Sequence, residues 1–147
     1  MRAYVGLSLC ALTQIAMSSQ TVVAQGLPYT RGTVWSVSEI RTTPGFENDY
    51  LKGLATTWKR TMDEAKKQGL VVSYKILSGN ASGPEDWDLL LMVEVKNWAA
   101  LDGLDEKFDA ITQKTVGGEE PRRQLATKRL EIRRILGAKN AQEIFLK

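Results

Sequence analysis

The sequence predicts an α+β domain in the order β-α-β-β-α-(α)-β, an antiparallel sheet with its helices on one face. Three observations predict it. Residues 33–40 and 70–77 are runs rich in β-branched and aromatic residues, the composition of strands. Between them Phe46, Tyr50, Leu54, Trp58, Met62 and Ala65 recur at spacings of three and four, the stripe of an amphipathic helix. Residues 86–96 alternate Trp87, Leu89, Leu91, Val93 and Val95 with Leu90 and Met92, so this third strand is apolar on both faces and needs cover on both.

The chain has 147 residues. Its first 24 read as a secretory signal peptide: Arg2 is the only charge, residues 3–17 are mostly apolar, and Val22-Val23-Ala24 ends the segment with small residues at the cleavage positions. The apolar part is too short for a membrane-spanning helix, which needs about 20 residues. Cleavage would leave one domain, residues 25–147, in an exported, periplasmic or secreted protein. Leu7-Ser8-Leu9-Cys10 is a poor lipidation box, because a bulky leucine precedes the cysteine and no full apolar region lies ahead of it.

Taken in order, residues 25–31 form a lead-in loop with Gly26 and Pro28, and the first strand follows over 33–40. Thr43-Pro44 reads as N-cap and first turn of the helix; Lys66-Lys67-Gln68-Gly69 closes it with cations and a glycine. After the second strand, residues 78–84 hold nearly every turn-forming type. Asn97 caps a second helix with the stripe Trp98, Leu101, Leu104, Phe108 and Ile111, and Gly117-Gly118 breaks it. Trp58, Trp98 and Phe108 are expected in the core. A basic third helix is expected over 121–136 with Gly137 as its stop, then a short closing strand over 141–147.

Composition excludes much chemistry. There is no histidine, and the single cysteine, Cys10, lies in the signal segment. The usual ligands of zinc, copper and haem iron are therefore missing, so no metal and no cofactor is expected, and no disulfide. Glu85-Asp86-Trp87-Asp88 lacks the glycine and distal glutamate of a calcium loop and reads as a solvated strand entrance. Charge is uneven: residues 121–147 carry eight basic and two acidic side chains, residues 25–120 eleven and fifteen. The basic helix reads as a solvated face, with contact to an anionic membrane surface as the weaker alternative. No aromatic residues interleave its cations, which argues against nucleic acid. No nucleophile elbow, phosphate loop or dinucleotide fingerprint occurs.

The element order is the split βαβ of the ferredoxin-like fold, with the first and third strands central. One domain has helices for a single sheet face, so a second copy is expected on the other, through Leu90 and Met92. The chain resembles the dimeric α/β-barrel superfamily, and within it small exported bacterial proteins, on Trp35–Ile40 leading to Thr43-Pro44-Gly45-Phe46, on Tyr50-Leu51, Trp58-Lys59 and Tyr74-Lys75, on the third strand, and on the ending from Arg134 to Lys147. The resemblance implies a homodimer and a ligand between helices and sheet or inside the barrel; haem members of the family generally use a histidine, absent here.

Candidate pocket-lining residues are the strand positions of mixed character: Trp35, Glu39, Arg41, Tyr74, Met92 and Glu94. Glu39 and Glu94, if they share a face, form a proton-transferring pair in which burial and the neighbouring carboxylate raise the pKa of one; otherwise each pairs with a basic neighbour such as Arg41 or Lys96. Trp35 and Tyr74 offer rings for stacking. The leading reading is a homodimeric domain binding a small apolar or aromatic molecule or serving an envelope partner. The alternative is a cofactor-independent enzyme, monooxygenase-like or isomerase-like, working with these aromatic and carboxylate groups.

Overall fold

The computed structural model describes residues 26–147, so the signal segment expected over residues 1–24 lies outside them. β1 (Tyr29–Thr42), β2 (Ser73–Ser78), β3 (Leu89–Val95) and β4 (Arg133–Leu146) pair into one antiparallel sheet in the order β2-β3-β1-β4. The first and third strands are central, as the split βαβ order requires. Between β1 and β2 runs one helical stretch made of α1 (Glu47–Gly53), a π-helical turn (Leu54–Trp58) and α2 (Lys59–Lys67). A 3-10 turn (Trp98–Leu101), α3 (Leu104–Thr115) and α4 (Glu119–Ile132) connect β3 to β4.

Antiparallel partners share a face, and the pairings Val34↔Val95 and Ile40↔Leu89 set the sheet's core-facing side. Ile40 and Leu89 pack on Tyr50 and Leu54 of the first helical stretch, with Trp58, Ile76, Leu91 and Ile132 around them. Val34 and Val95 pack on Leu104, and Ala65 and Val71 on Ile111. Fully burying such side chains contributes about 1.5–3 kcal/mol each, which makes these three clusters the main source of the fold's stability. The result is α+β and ferredoxin-like.

Element boundaries differ from expectation at several points, each for an identifiable physical reason. Thr43 does not cap the first helix: its N–H bonds the Ile132 carbonyl at 2.9 Å, and its hydroxyl bonds that of Glu131 at 3.4 Å. Gly45, at φ +87°, turns the chain, and the helix starts at Glu47. The second helix is split, because Gly103 at φ +62° separates the 3-10 turn that Asn97 does cap from α3. Trp98 consequently misses the core; it is 47% exposed and donates its indole N–H to Gln142 at 3.2 Å. α4 ends at Ile132 instead of 136, and Gly137 is no helix stop but a strand residue opposite Glu39. The closing strand is 14 residues long, because β1 offers a partner along its whole length, from Thr42↔Arg133 to Tyr29↔Leu146.

Candidate functional site

Two regions bring chemistry-bearing side chains together. The first is the sheet face turned away from the helices. The pairings Trp35↔Glu94, Val37↔Met92 and Glu39↔Leu90 set these six side chains on it, and Ser73, Lys75 and Leu77 extend it onto β2. Lys139 and Ala141 extend it onto β4, opposite Val37 and Trp35. Of the residues singled out from sequence, Trp35, Glu39, Met92 and Glu94 meet here, with Arg41 beyond them at the strand end, 3.9 Å from Asp88.

Tyr74 stands apart from the other five. It pairs with Val93 on the helix side, its ring meets Trp58 edge-on at 5.2 Å, and its hydroxyl donates to Asp63. That bond pushes the Tyr74 hydroxyl up from its ordinary pKa. Asp63 is held below the usual carboxylate value, first by its hydrogen bond with Lys59 and then by the one with Tyr74. Trp35 and Tyr74 therefore do not form one stacking site. A cation already covers the Trp35 ring, with Lys75 Nζ 4.2 Å from its centroid.

The two glutamates share the face without sharing a site. Glu39 pairs with Lys139 at 2.8 Å, whereas Glu94 accepts from Thr33 at 2.8 Å and from Ser73. Four strand positions separate Glu39 from the residue opposite Glu94, a distance of about 13 Å. A pair that shares one proton needs near contact, so the proton-transferring dyad does not form. Each polar group on the face is instead answered within the chain, and Val37, Leu77, Leu90 and Met92 fill the space between.

The second region is a chamber of about 230 Å³ behind the sheet, between α2, α3 and α4. Trp58, Met62, Phe108, Val116 and Leu125 give it apolar walls, and Thr57, Thr61, Thr112, Arg122 and Arg129 the polar ones. Arg129 reaches across from α4 and donates to the Thr57 hydroxyl, which passes its own proton to the Gly53 carbonyl at 2.6 Å. Thr57 lies in the π-helical turn, and such turns occur often at functional sites. Burial lowers the Arg129 pKa from its ordinary value, with Tyr50 opposing and Arg133 adding to the effect, but a guanidinium stays charged.

Among the described residues Arg129 has no carboxylate partner, and the buried Nε atoms of Arg122 and Arg133 have no hydrogen-bond acceptor. Arg133 lies over the Tyr50 ring at 5.4 Å. A second cavity, of about 520 Å³, opens on the other side of Leu125 and Arg129, toward Tyr50 and Ile132. This basic centre escaped the sequence reading, which set the cations of 121–136 on a solvated face. The signal was present, since Arg122, Leu125, Arg129 and Ile132 recur at three, four and three residues, one stripe of one helix.

No protein-family model matches the chain, and no curated protein matches it. Among solved structures it is similar to HapK from Hahella chejuensis, at 12% identity over 75% of this chain and 91% of that one, with a TM-score of 0.48. It is also similar to a dimeric ferredoxin-like protein from an uncultured marine organism, at 13% identity over 80% and 90%, with a TM-score of 0.46. Those likenesses concern the course of the chain and assign no activity.

Proposed function

We propose that the protein is an exported, homodimeric binding domain in which the uncovered sheet face meets a second copy and the chamber behind Trp58 holds a small molecule. The chamber carries the reading: it has apolar walls on three helices and, among the described residues, a half-buried guanidinium without a carboxylate. Ligand sites have this make-up, apolar linings with a few convergent polar groups. Saturation of the purified protein with a set of small organic molecules, followed by amide NMR shifts, tests it. Shifts confined to the π-helical turn, α2, α3 and α4 support the reading, and an unresponsive chamber removes it.

Self-association draws its support from the other face. Leu77, Leu90 and Met92 lie there around a buried Val37, partly exposed and uncovered by any helix, while Glu39, Glu94 and Lys75 meet Lys139, Thr33, Ser73 and Trp35 within the chain. Burying that apolar surface favours association, and the two hydroxyls from which Glu94 accepts offset part of the cost of desolvating its charge. Light scattering at micromolar concentration is expected to give twice the chain mass. Met92→Glu should shift it toward monomer or aggregate, since the new carboxylate lies between Val37 and Lys75 in the contact. A monodisperse wild-type monomer refutes the dimer.

Export rests on the grammar of residues 1–24. The exported fraction is expected to begin at Gln25 or its cyclised form, and a retained Met1 there refutes it. The alternative of a cofactor-independent enzyme gains no support from the glutamates, which lie four strand positions out of register with separate partners.

A further inference from the structure

We propose that the ligand of this chamber is a compact organic carboxylate, bound by the Arg129 guanidinium with its apolar body between Trp58 and Phe108. The inference rests on the reading of the chamber as the binding site and adds the chemical class of what enters it.

No aspartate or glutamate lines the chamber, although two arginines do. Arg122 has a distant ion pair, 3.5 Å to an Asp109 carboxylate that is 76% exposed, and its buried Nε has no acceptor. Arg129 has five N–H donors and makes one side-chain hydrogen bond, to Thr57. The protons of two of its three threonines, Thr57 and Thr61, point elsewhere. Thr57 donates to Gly53; Thr115 donates to the Ile111 carbonyl at 3.1 Å, so Thr61, 3.0 Å from it, must donate to Thr115. The chamber thus presents N–H donors in excess and lacks anionic acceptors, the complement of a group that only accepts.

Charge and size narrow the class. One guanidinium is partly answered by Asp109 and the other is not, which fits a single negative charge. A planar carboxylate matches the two parallel N–H bonds of an arginine fork. The volume, about 230 Å³, lies below the roughly 300–1,000 Å³ of pockets for drug-sized ligands, and the part of a ligand seated in this half-open chamber is one ring or a short chain. Trp58 and Phe108 favour a ring.

Benzoate and benzyl alcohol, alike in ring and different in charge, are the probes. Titrated into the purified protein at pH 7 and followed by amide NMR, benzoate is expected to saturate with shifts on α2, α3 and α4 and to bind at least tenfold more tightly than benzyl alcohol. Arg129→Gln should reduce benzoate affinity tenfold or more and leave benzyl alcohol unchanged; Arg129→Lys, which keeps charge without the fork, should fall between. If Arg129→Gln does not fold, Thr57→Val, which frees Arg129 from its anchor, is expected to weaken benzoate alone. Equal affinity for the two probes, or benzoate binding that survives Arg129→Gln, overturns the carboxylate assignment while leaving the chamber as a ligand site. Binding of inorganic phosphate as tight as benzoate overturns it likewise. If neither ring compound moves these resonances, the chamber is not the site, and both readings fall.

Discussion

Asp88 is the residue whose removal the structure prices most clearly. Its two carboxylate oxygens lie 3.1 and 3.0 Å from the Thr42 N–H, and one lies 2.5 Å from the Thr42 hydroxyl. Arg41 stands 3.9 Å away. Thr42 is 2% exposed, so water cannot replace these bonds, and the Asp88 side chain is itself 18% exposed. A hydrogen bond to a charged group contributes about 1.5–3 kcal/mol; two orphaned donors set an upper range of about 3–6 kcal/mol. The hydroxyl is free to rotate toward another acceptor, which brings the expected cost of Asp88→Ala to about 2–4 kcal/mol. That is a large share of the about 5–15 kcal/mol that stabilises a typical domain, and it corresponds to a fall in Tm of roughly 8–16 °C. Urea denaturation with an unchanged slope is the assay. Asp88→Asn, which keeps one acceptor oxygen, should lose about half as much. A loss below about 0.5 kcal/mol for Asp88→Ala would refute the claim that this carboxylate clamps the end of β1.

Other outcomes test other parts of the fold. Burial is the main reason the Tyr50 hydroxyl sits above its ordinary pKa, so the folded chain keeps that proton to higher pH than the unfolded one; its contribution is full below pH about 10 and is lost as pH rises through the folded value. Tyr50→Phe should therefore flatten the alkaline fall in Tm between pH 9 and 11, leaving the part due to Tyr74; identical slopes would contradict it. Gly79→Ala sets a Cβ 2.5 Å from the Trp87 ring, so it should displace that ring, shift tryptophan emission and lower Tm, and an unchanged spectrum would count against the packing. Gly53→Ala meets nothing within 4 Å in a helical position and should stabilise by about 0.5–1 kcal/mol, measured by urea denaturation.

What the sequence made legible was periodic and local. The stripe from Tyr50 to Ala65 and the double alternation of Leu89–Val95 required only neighbours a few residues away, and both elements form where their patterns run. The misread boundaries were decided at long range. Residues 133–136 continue a helical apolar spacing, and only the presence of β1 opposite them makes them strand. Gly137 looks like a helix stop until its partner, Glu39, is known. Thr43 has every local mark of an N-cap, yet Ile132, 89 positions away, takes its N–H. Asp88, too, read as solvated because the buried Thr42 it serves lies 46 residues upstream.

The candidate site shows the same division at the level of charge. Residues of mixed character on strands were legible as a face, because alternation fixes direction; Trp35, Glu39, Met92 and Glu94 share one, and Tyr74, by its register, does not. Whether two groups on that face interact depends on their separation along the strand, which the four-residue offset fixes and their shared sign does not. For α4 the net charge concealed the arrangement. Arg123 pairs with Glu120 near the surface, while Arg122 and Arg129, on the stripe shared with Leu125, turn toward α2 and α3. A count of cations treats these alike; a helical wheel separates them. Desolvating a guanidinium without a carboxylate costs free energy, and the fold retains Arg129 in that position with only a threonine hydroxyl to meet it. Such a residue stabilises the chain least when the chamber is empty. A bound anion would relieve it, which is why Arg129, of all the basic residues in this region, is the one on which a ligand's affinity should depend.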